Sequence, residues 1–332
     1  MKNIPRQMSA VEISEPGGPD KLQLRTRPTP ELRDNEVLIK VEAAGVNRPD
    51  IMQRSGLYPP PAGASDIPGL EVAGTVVKIQ NENEKWKVGD KVCALVNGGG
   101  YAQYVNVPNS QCLSIPDNLS WVESASLPET YFTVWINVFQ RSKLRAGESI
   151  LVQGGGSGIG VAAIQLASSR GSDVFVTAGT DEKCQKCEAL GAKIAINYKK
   201  TNFKSVILEK TAGRGVDVIL DMVAGDYVGE EIDCLANDGR LAIIALMGGV
   251  RAELNLTKVM TKRLSISGST LRPRSDSFKA EITSQLEAQV WPSISSGEIK
   301  PVVDKIFQFD KASLAHEYLE SGNHFGKIML AF

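Results

Sequence analysis

The run Gly154-Gly155-Gly156-Ser157-Gly158-Ile159-Gly160 follows the apolar segment Ile150-Leu151-Val152 and precedes a stretch with helical spacing. A strand, a turn poor in Cβ atoms and a helix start bring backbone N–H groups against the pyrophosphate of a dinucleotide. Glycines there serve a tight turn, close approach of backbone to phosphate, and packing of helix on strand. Against G-x-G-x-x-G the match runs Gly155, then Ser157 in place of the middle glycine, then Gly160. A turn kept glycine-rich for packing alone is the competing reading. A phosphate-binding loop would end in Gly-Lys-Ser/Thr, and a nucleophile elbow through Ser157 would need glycine where Ile159 stands. Gly155, Ser157, Gly158, Ile159 and Gly160 are therefore read as cofactor contacts.

Which dinucleotide such a site takes is set at the end of the next strand, where an acidic residue binds the ribose 2′-hydroxyl of NAD. Here the strand end reads Thr177-Ala178-Gly179-Thr180, with Lys183 at the following helix start. A pocket of Gly179, Thr180 and Lys183 without a carboxylate suits NADPH. Alternatively, Asp181-Glu182-Lys183 is only a solvated first turn. Tyr198, after the third strand, stacks beside the same phosphate or the adenine, or is an ordinary half-buried tyrosine. Carboxyl-side turns complete such clefts, and the candidates are Asp221 to Gly225, Leu246-Met247-Gly248-Gly249 and Ser269 to Leu271. Met247 and the glycine pair serve equally well as core and turn.

The elements around these residues fall into two textures. The first third shows short β segments, Ser9 to Ser14, Glu36 to Ala43, Val72 to Ile79, Lys91 to Leu95 and Ala102 to Val107, punctuated by glycine-rich turns. It contains a proline loop, Tyr58-Pro-Pro-Pro, that neither helix nor central strand accommodates. From about residue 130, apolar runs alternate with helical segments as in βαβ units: strands at Ser149 to Gln153, Asp173 to Ala178, Lys193 to Asn197, Val216 to Val223, Arg240 to Leu246 and Leu264 to Ser269. A helix over Ser275 to Val290 stops at Trp291-Pro292. The tail, with strands at Lys305 to Phe309 and Lys327 to Phe332, reads as strands returning to the first domain.

Composition narrows the chemistry. The 332 residues hold 37 Lys plus Arg against 38 Asp plus Glu, a net charge of -1, so no positive field favours nucleic acid or an acidic membrane surface. His316 and His324 are the two histidines, which excludes a histidine-rich metal site. Five scattered cysteines, Cys93, Cys112, Cys184, Cys187 and Cys234, read as free thiols in a reducing, cytoplasmic setting. Cys184-x-x-Cys187 has no second pair and is read as structural. No run approaches a membrane span, and the start, Met1 to Gln7, has no signal-like apolar core.

Several segments together resemble the medium-chain dehydrogenase/reductase superfamily: Gly45-Val46-Asn47-Arg48-Pro49-Asp50, Gly56-Leu57-Tyr58-Pro59-Pro60-Pro61, Pro68-Gly69-Leu70-Glu71-Val72-Ala73-Gly74, Val88-Gly89-Asp90-Lys91-Val92, the Gly155 to Gly160 turn with Gln165, and Gly326-Lys327-Ile328. The resemblance is to its zinc-independent, zeta-crystallin-like quinone oxidoreductases, nearest to the subgroup inducible by the p53 tumour suppressor. It runs from about Met8 to Phe332 and departs from the usual pattern at Ser157. It implies an α/β fold: a doubly wound Rossmann parallel sheet at 132–294 that binds NADPH, and a β-rich GroES-like domain at 1–131 completed by 295–332. Zinc-dependent relatives carry a cysteine where Asn47 stands and a histidine where Leu70 stands, and a four-cysteine lobe that this chain lacks after Val92. The resemblance thus implies hydride transfer without metal, with Asn47, Tyr58 and Tyr131 at the acceptor, Thr133 near the nicotinamide, and Met247-Gly248-Gly249 on the cofactor. It also implies a homodimer.

These residues support an NADPH-dependent quinone reductase acting on a small molecule, whose conjugation spreads the incoming charge. Reduction of an activated double bond in an enone, alkenal or enoyl thioester uses the same hydride geometry. A non-enzymatic NADPH-binding or single-strand RNA-binding protein is the reading of another class, and the balanced charge and absence of a basic, aromatic-interleaved patch argue against RNA.

Overall fold

The apolar residues of Glu36–Val46 are buried along most of the strand's length, and this strand is the spine on which the first unit is assembled. The computed structural model describes residues 4–80 and 85–332; the first three residues of the amino-terminal stretch lie outside them. Unit 1 comprises the described residues up to Phe132 together with Arg272–Phe332, and unit 2 is Thr133–Leu271.

In chain order, β1 (Gln7–Ile13) and β2 (Leu22–Pro28) form an antiparallel ribbon. There follow β3 (Glu36–Val46), β4 (Glu71–Ile79), β5 (Lys91–Leu95), β6 (Tyr104–Pro108) and β7 (Cys112–Ser114). Unit 2 contributes β8 (Ser149–Val152), β9 (Asp173–Ala178), β10 (Ile194–Asn197), β11 (Val216–Asp221), β12 (Leu235–Ile243) and β13 (Ser265–Gly268). The tail adds β14 (Val303–Gln308) and β15 (Lys327–Ala331), and β15 pairs antiparallel with β3. The returning strands expected from the sequence are therefore part of the unit 1 sheet, ordered β14-β15-β3-β4-β5-β7 with β6 also on β3.

The unit 2 sheet is parallel, in the order β10-β9-β8-β11-β12-β13. Its direction of winding reverses between β8 and β11, and ligands of doubly wound sheets bind at that reversal. Residues on β8, β9 and β11 are almost all buried, because helices cover both faces. β12 begins at Leu235, earlier than the expected Arg240.

The division of the chain differs from the expected boundary at 294. Residues 272–294 group with unit 1, not with the parallel sheet. Gln111 Nε2 donates to Asp276 Oδ1 at 2.8 Å, Trp291 Nε1 to Ser114 O at 2.8 Å, and Asn118 Nδ2 to Ile294 O at 3.0 Å. The helix Asp276–Gln289 does end before Trp291-Pro292, but Pro292 then sits in the first turn of another helix, Trp291–Ser295, where a missing N–H costs nothing. Among the described residues no helix is long and apolar enough to cross a membrane.

Candidate active site

The glycine-rich turn leaves the carboxyl end of β8 and enters the helix Gly158–Ser168. A Cβ on Gly155 would stand 2.8 Å from Val176 Cβ and 3.0 Å from Cys187 Sγ, and one on Gly160 would stand 2.4 Å from Gly154 O. Protein atoms occupy both spaces, so these two glycines answer the packing demands of the fold. Cys187 packs beneath the turn, which accounts for one member of the Cys-x-x-Cys pair as structural.

Ser157, in place of the middle glycine, is the N-cap of the helix. Its Oγ accepts from Gly160 N at 3.0 Å and donates to Gly154 O at 2.8 Å. The hydroxyl thus takes one of the orphan donors at the helix start and leaves the N–H groups of Gly158 and Ile159 with no intrahelical partner. This is the feature that fits an anionic group: two half-buried backbone donors at the positive end of an eleven-residue helix.

Behind the turn a buried chain of hydrogen bonds fixes its height. Gly154 N donates to Thr177 Oγ1 at 3.0 Å, Thr177 Oγ1 to Gln153 Oε1 at 2.8 Å, and Gln153 Nε2 to Glu231 Oε1 at 2.9 Å. Burial first and then the neighbouring Asp221 carboxylate push Glu231 well above the usual carboxylate range. Asp221, itself raised by burial, accepts from the N–H groups of Val223 and Ala224.

After β9, Thr180 caps the helix Asp181–Ala189 by accepting from Lys183 N at 3.2 Å. Tyr198 is 44% exposed, and its hydroxyl lies 3.0 Å from where a Gly179 Cβ would stand, so the ring covers the glycine. Gly179, Thr180, Lys183 and Tyr198 are therefore gathered at one end of the sheet, none fully buried. Asp181 is turned to Lys200 (2.5 Å) and Asn197 (2.6 Å), and the Lys200 contact holds its carboxyl below the usual range. Sequence reasoning missed Lys200, whose signal was only its place two residues after Tyr198. Met247 and Gly248 are exposed after β12; Gly248 N donates to Val223 O at 2.6 Å and Gly249 bridges Ala224. Thr133 is half-buried at the start of unit 2.

In unit 1, Asn47 follows β3 and is the N-cap of the helix Arg48–Arg54. It is 6% exposed and bonded at both ends of its amide: Oδ1 accepts from Lys327 Nζ at 2.5 Å and Nδ2 donates to Glu71 Oε1 at 3.0 Å. Its N–H donates to Asp50 Oδ2 at 2.8 Å, so it also fixes the loop before Asp50. Leu70 is buried. Tyr58 belongs to a different group, its ring 5.5 Å from the Arg272 guanidinium; burial raises its phenol pKa while Arg272 opposes the rise. Tyr131 is 3% exposed, and its hydroxyl has no hydrogen-bond partner among the described residues. Burial raises its pKa, so this donor keeps its proton.

Residues 33–117 match the family model for the alcohol dehydrogenase GroES-like domain and residues 158–286 that for the zinc-binding dehydrogenase. The pig quinone oxidoreductase is 32% identical over 326 residues, 97% of each chain. The chain belongs to the medium-chain dehydrogenase/reductase superfamily. A mycobacterial member solved with NADPH is 28% identical at a TM-score of 0.87, covering 98% of this chain and 100% of its own. An enoyl reductase is 26% identical at a TM-score of 0.86, covering 98% and 99%. This medium-chain reductase is accordingly an oxidoreductase with a GroES-like β domain and a parallel-sheet domain of Rossmann type, in a superfamily that uses nicotinamide cofactors.

Proposed function

We propose that this medium-chain reductase transfers hydride from NADPH to a quinone without a catalytic metal. The observation that carries the reading is the setting of the two ligand positions, on a chain that aligns with a quinone oxidoreductase along 97% of its length. Asn47 spends its amide on Lys327 and Glu71, and Leu70 is an apolar side chain in the core. Neither offers a soft ligand.

NADPH, when bound, supplies the hydride. The N–H groups of Gly158 and Ile159 hold its pyrophosphate, Thr180, Lys183 and Tyr198 meet the 2′-phosphate, and Thr133 and Met247-Gly248-Gly249 border the remainder. Asn47 donates from its second Nδ2 hydrogen to the acceptor oxygen that gains charge, and Tyr58 orients the acceptor. The Tyr131 hydroxyl, protonated and unpartnered, supplies a hydrogen bond or a proton. The test is NADPH oxidation with a panel of quinones after dialysis against a chelator. Activity lost with the metal, or a preference for NADH unaltered in Lys183→Ala, would refute it.

A likeness to an enoyl reductase at a TM-score of 0.86 favours a second acceptor class, activated double bonds. Reduction of a carbon–carbon bond demands protonation at carbon, so Tyr131→Phe should depress enone turnover more than quinone turnover if this class is the substrate.

A homodimer accompanies the reading. β13 is a sheet edge with Ile266 exposed, and Leu256 and Met260, four apart on one helix face, are 70% and 72% exposed. Such an edge invites pairing with its symmetry mate. Light scattering after chromatography checks it, with Met260→Glu expected to give monomer.

A further inference from the structure

The register of three strands brings together side chains that lie far apart in sequence. Val46 pairs with Ile328 and Ala44 with Val72, which sets Asn47 just after β3, Glu71 at the start of β4 and Lys327 at the start of β15 side by side. Lys327 Nζ stands 2.5 Å from Glu71 Oε1 and 2.5 Å from Asn47 Oδ1, and Asn47 Nδ2 closes the ring on Glu71 Oε1 at 3.0 Å. Lys327 and Glu71 are 5% and 0% exposed. The other carboxylate oxygen accepts from Glu129 N at 2.8 Å, at the start of the helix that carries Tyr131. A Cβ on Gly45 would fall 1.9 Å from Glu71 Oε1, so glycine at 45 is what lets the carboxylate lie across β3.

Burying an ammonium and a carboxylate is costly, and an apolar pair would fill the space at no such cost. The ring has one property that an apolar pair lacks. A carboxamide presents an oxygen acceptor at one end and two N–H donors at the other, and turning it over exchanges them. An ammonium accepts nothing, so Asn47 Oδ1 must face Lys327 and Nδ2 must face Glu71. The ammonium on Oδ1 also polarises the amide, strengthening its N–H groups as donors.

We infer that Lys327 is a positioning residue for hydride transfer. It orients and polarises Asn47 so that the second Nδ2 hydrogen meets the acceptor oxygen as charge develops there. The inference rests on the acceptor role proposed for Asn47.

The experiment uses the full chain with NADPH and a quinone that the wild type reduces. Lys327→Met alone strands Glu71, so the working variant is the neutral pair Glu71→Gln/Lys327→Met, with its fold checked by circular dichroism and its NADPH dissociation constant by fluorescence. The expected result is a kcat lowered by about tenfold or more, short of the roughly 10²–10³ lost with an oxyanion donor itself, and NADPH affinity within about twofold of wild type if Lys327 acts through Asn47. Lys327→Arg, which keeps a cation and N–H donors, should restore most of kcat. In an Asn47→Ala background the same pair should cost nothing further, because the group it acts through is gone. A folded pair variant with unchanged kcat, losses that multiply in the Asn47→Ala background, or an equal loss of NADPH affinity would each overturn the inference. A pair variant that does not fold transfers the decision to Lys327→Arg and Asn47→Ala: kcat in Lys327→Arg as low as in Asn47→Ala overturns it, and near-wild-type kcat supports it. Failure of the wild type to reduce any quinone or enone would remove the proposed function, and this inference with it, whereas wild-type turnover with an indifferent variant removes this inference alone.

Discussion

Each unit buries a glutamate that accepts a hydrogen bond from a carboxamide, and the two bonds are nearly equal in length. Asn47 Nδ2 reaches Glu71 Oε1 at 3.0 Å in unit 1; Gln153 Nε2 reaches Glu231 Oε1 at 2.9 Å in unit 2. The carboxyl groups nevertheless differ in their surroundings. Glu71 is met by the Lys327 ammonium and by Glu129 N as well. Among the described residues Glu231 has no cation as a partner, and burial together with Asp221 pushes its carboxyl well above the usual carboxylate range. The contrast shows that a buried acid is defined by what surrounds it, an ammonium in one unit and a second acid that favours the protonated form in the other, and that the carboxamide bond alone says nothing about charge.

The sharpest way to break the contrast is to remove the ammonium. Lys327→Met leaves Glu71 buried without its cation, and chemical unfolding should record a loss of about 3–5 kcal/mol. The Glu71→Gln/Lys327→Met pair should recover most of it. In unit 2 the corresponding break is Thr177→Val, which keeps the shape but strips the partners from Gly154 N and Gln153 Oε1. Two buried groups left unsatisfied should cost about 1–3 kcal/mol and, because the glycine-rich turn loses its support, raise the KM for the nicotinamide cofactor. Ser157→Ala removes a cap whose loss is worth about 1 kcal/mol, whereas Ser157→Gly should cost only a few tenths.

The smallest expected effect is the most discriminating. A carboxyl whose pKa is raised on folding binds more protons folded than unfolded, so it subtracts from stability as pH climbs above the ordinary carboxylate range. Glu231→Gln keeps the acceptor for Gln153 and cannot ionise. Melting temperatures should match the wild type near pH 4 and exceed it at pH 7 to 8. A wild type and variant with parallel profiles would show that Glu231 is ionised and that the two acids do not differ.

Legibility from sequence followed the range of the interaction. The β8-turn-helix unit, the strand Asp173–Ala178 and the cap at Thr180 were legible because each is specified by residues within a few positions of one another. The helices Arg48–Arg54 and Tyr227–Cys234 were not, since the first is too short to show a period and the second carries buried Glu231 on the face where an apolar residue is expected. The boundary was misplaced for a similar reason. The helix Asp276–Gln289 follows the βαβ units in sequence, while the bond that Gln111 donates to Asp276 and the one that Trp291, just after the helix, donates to Ser114 O, each spanning more than 150 residues, tie this segment to unit 1.

For the site, the sequence by itself determined which side chains stand at Asn47 and Leu70 and along the glycine-rich turn, because these are matters of residue type. Tertiary structure decided what those residues do. Ser157 became a cap rather than an obstruction when its hydroxyl met Gly160 N, and Asn47 acquired one orientation only when β15 delivered Lys327 from 280 positions away. Hydrogen-bond direction and charge compensation depend on separations of a few ångströms, and a linear chain does not specify those until strand register does.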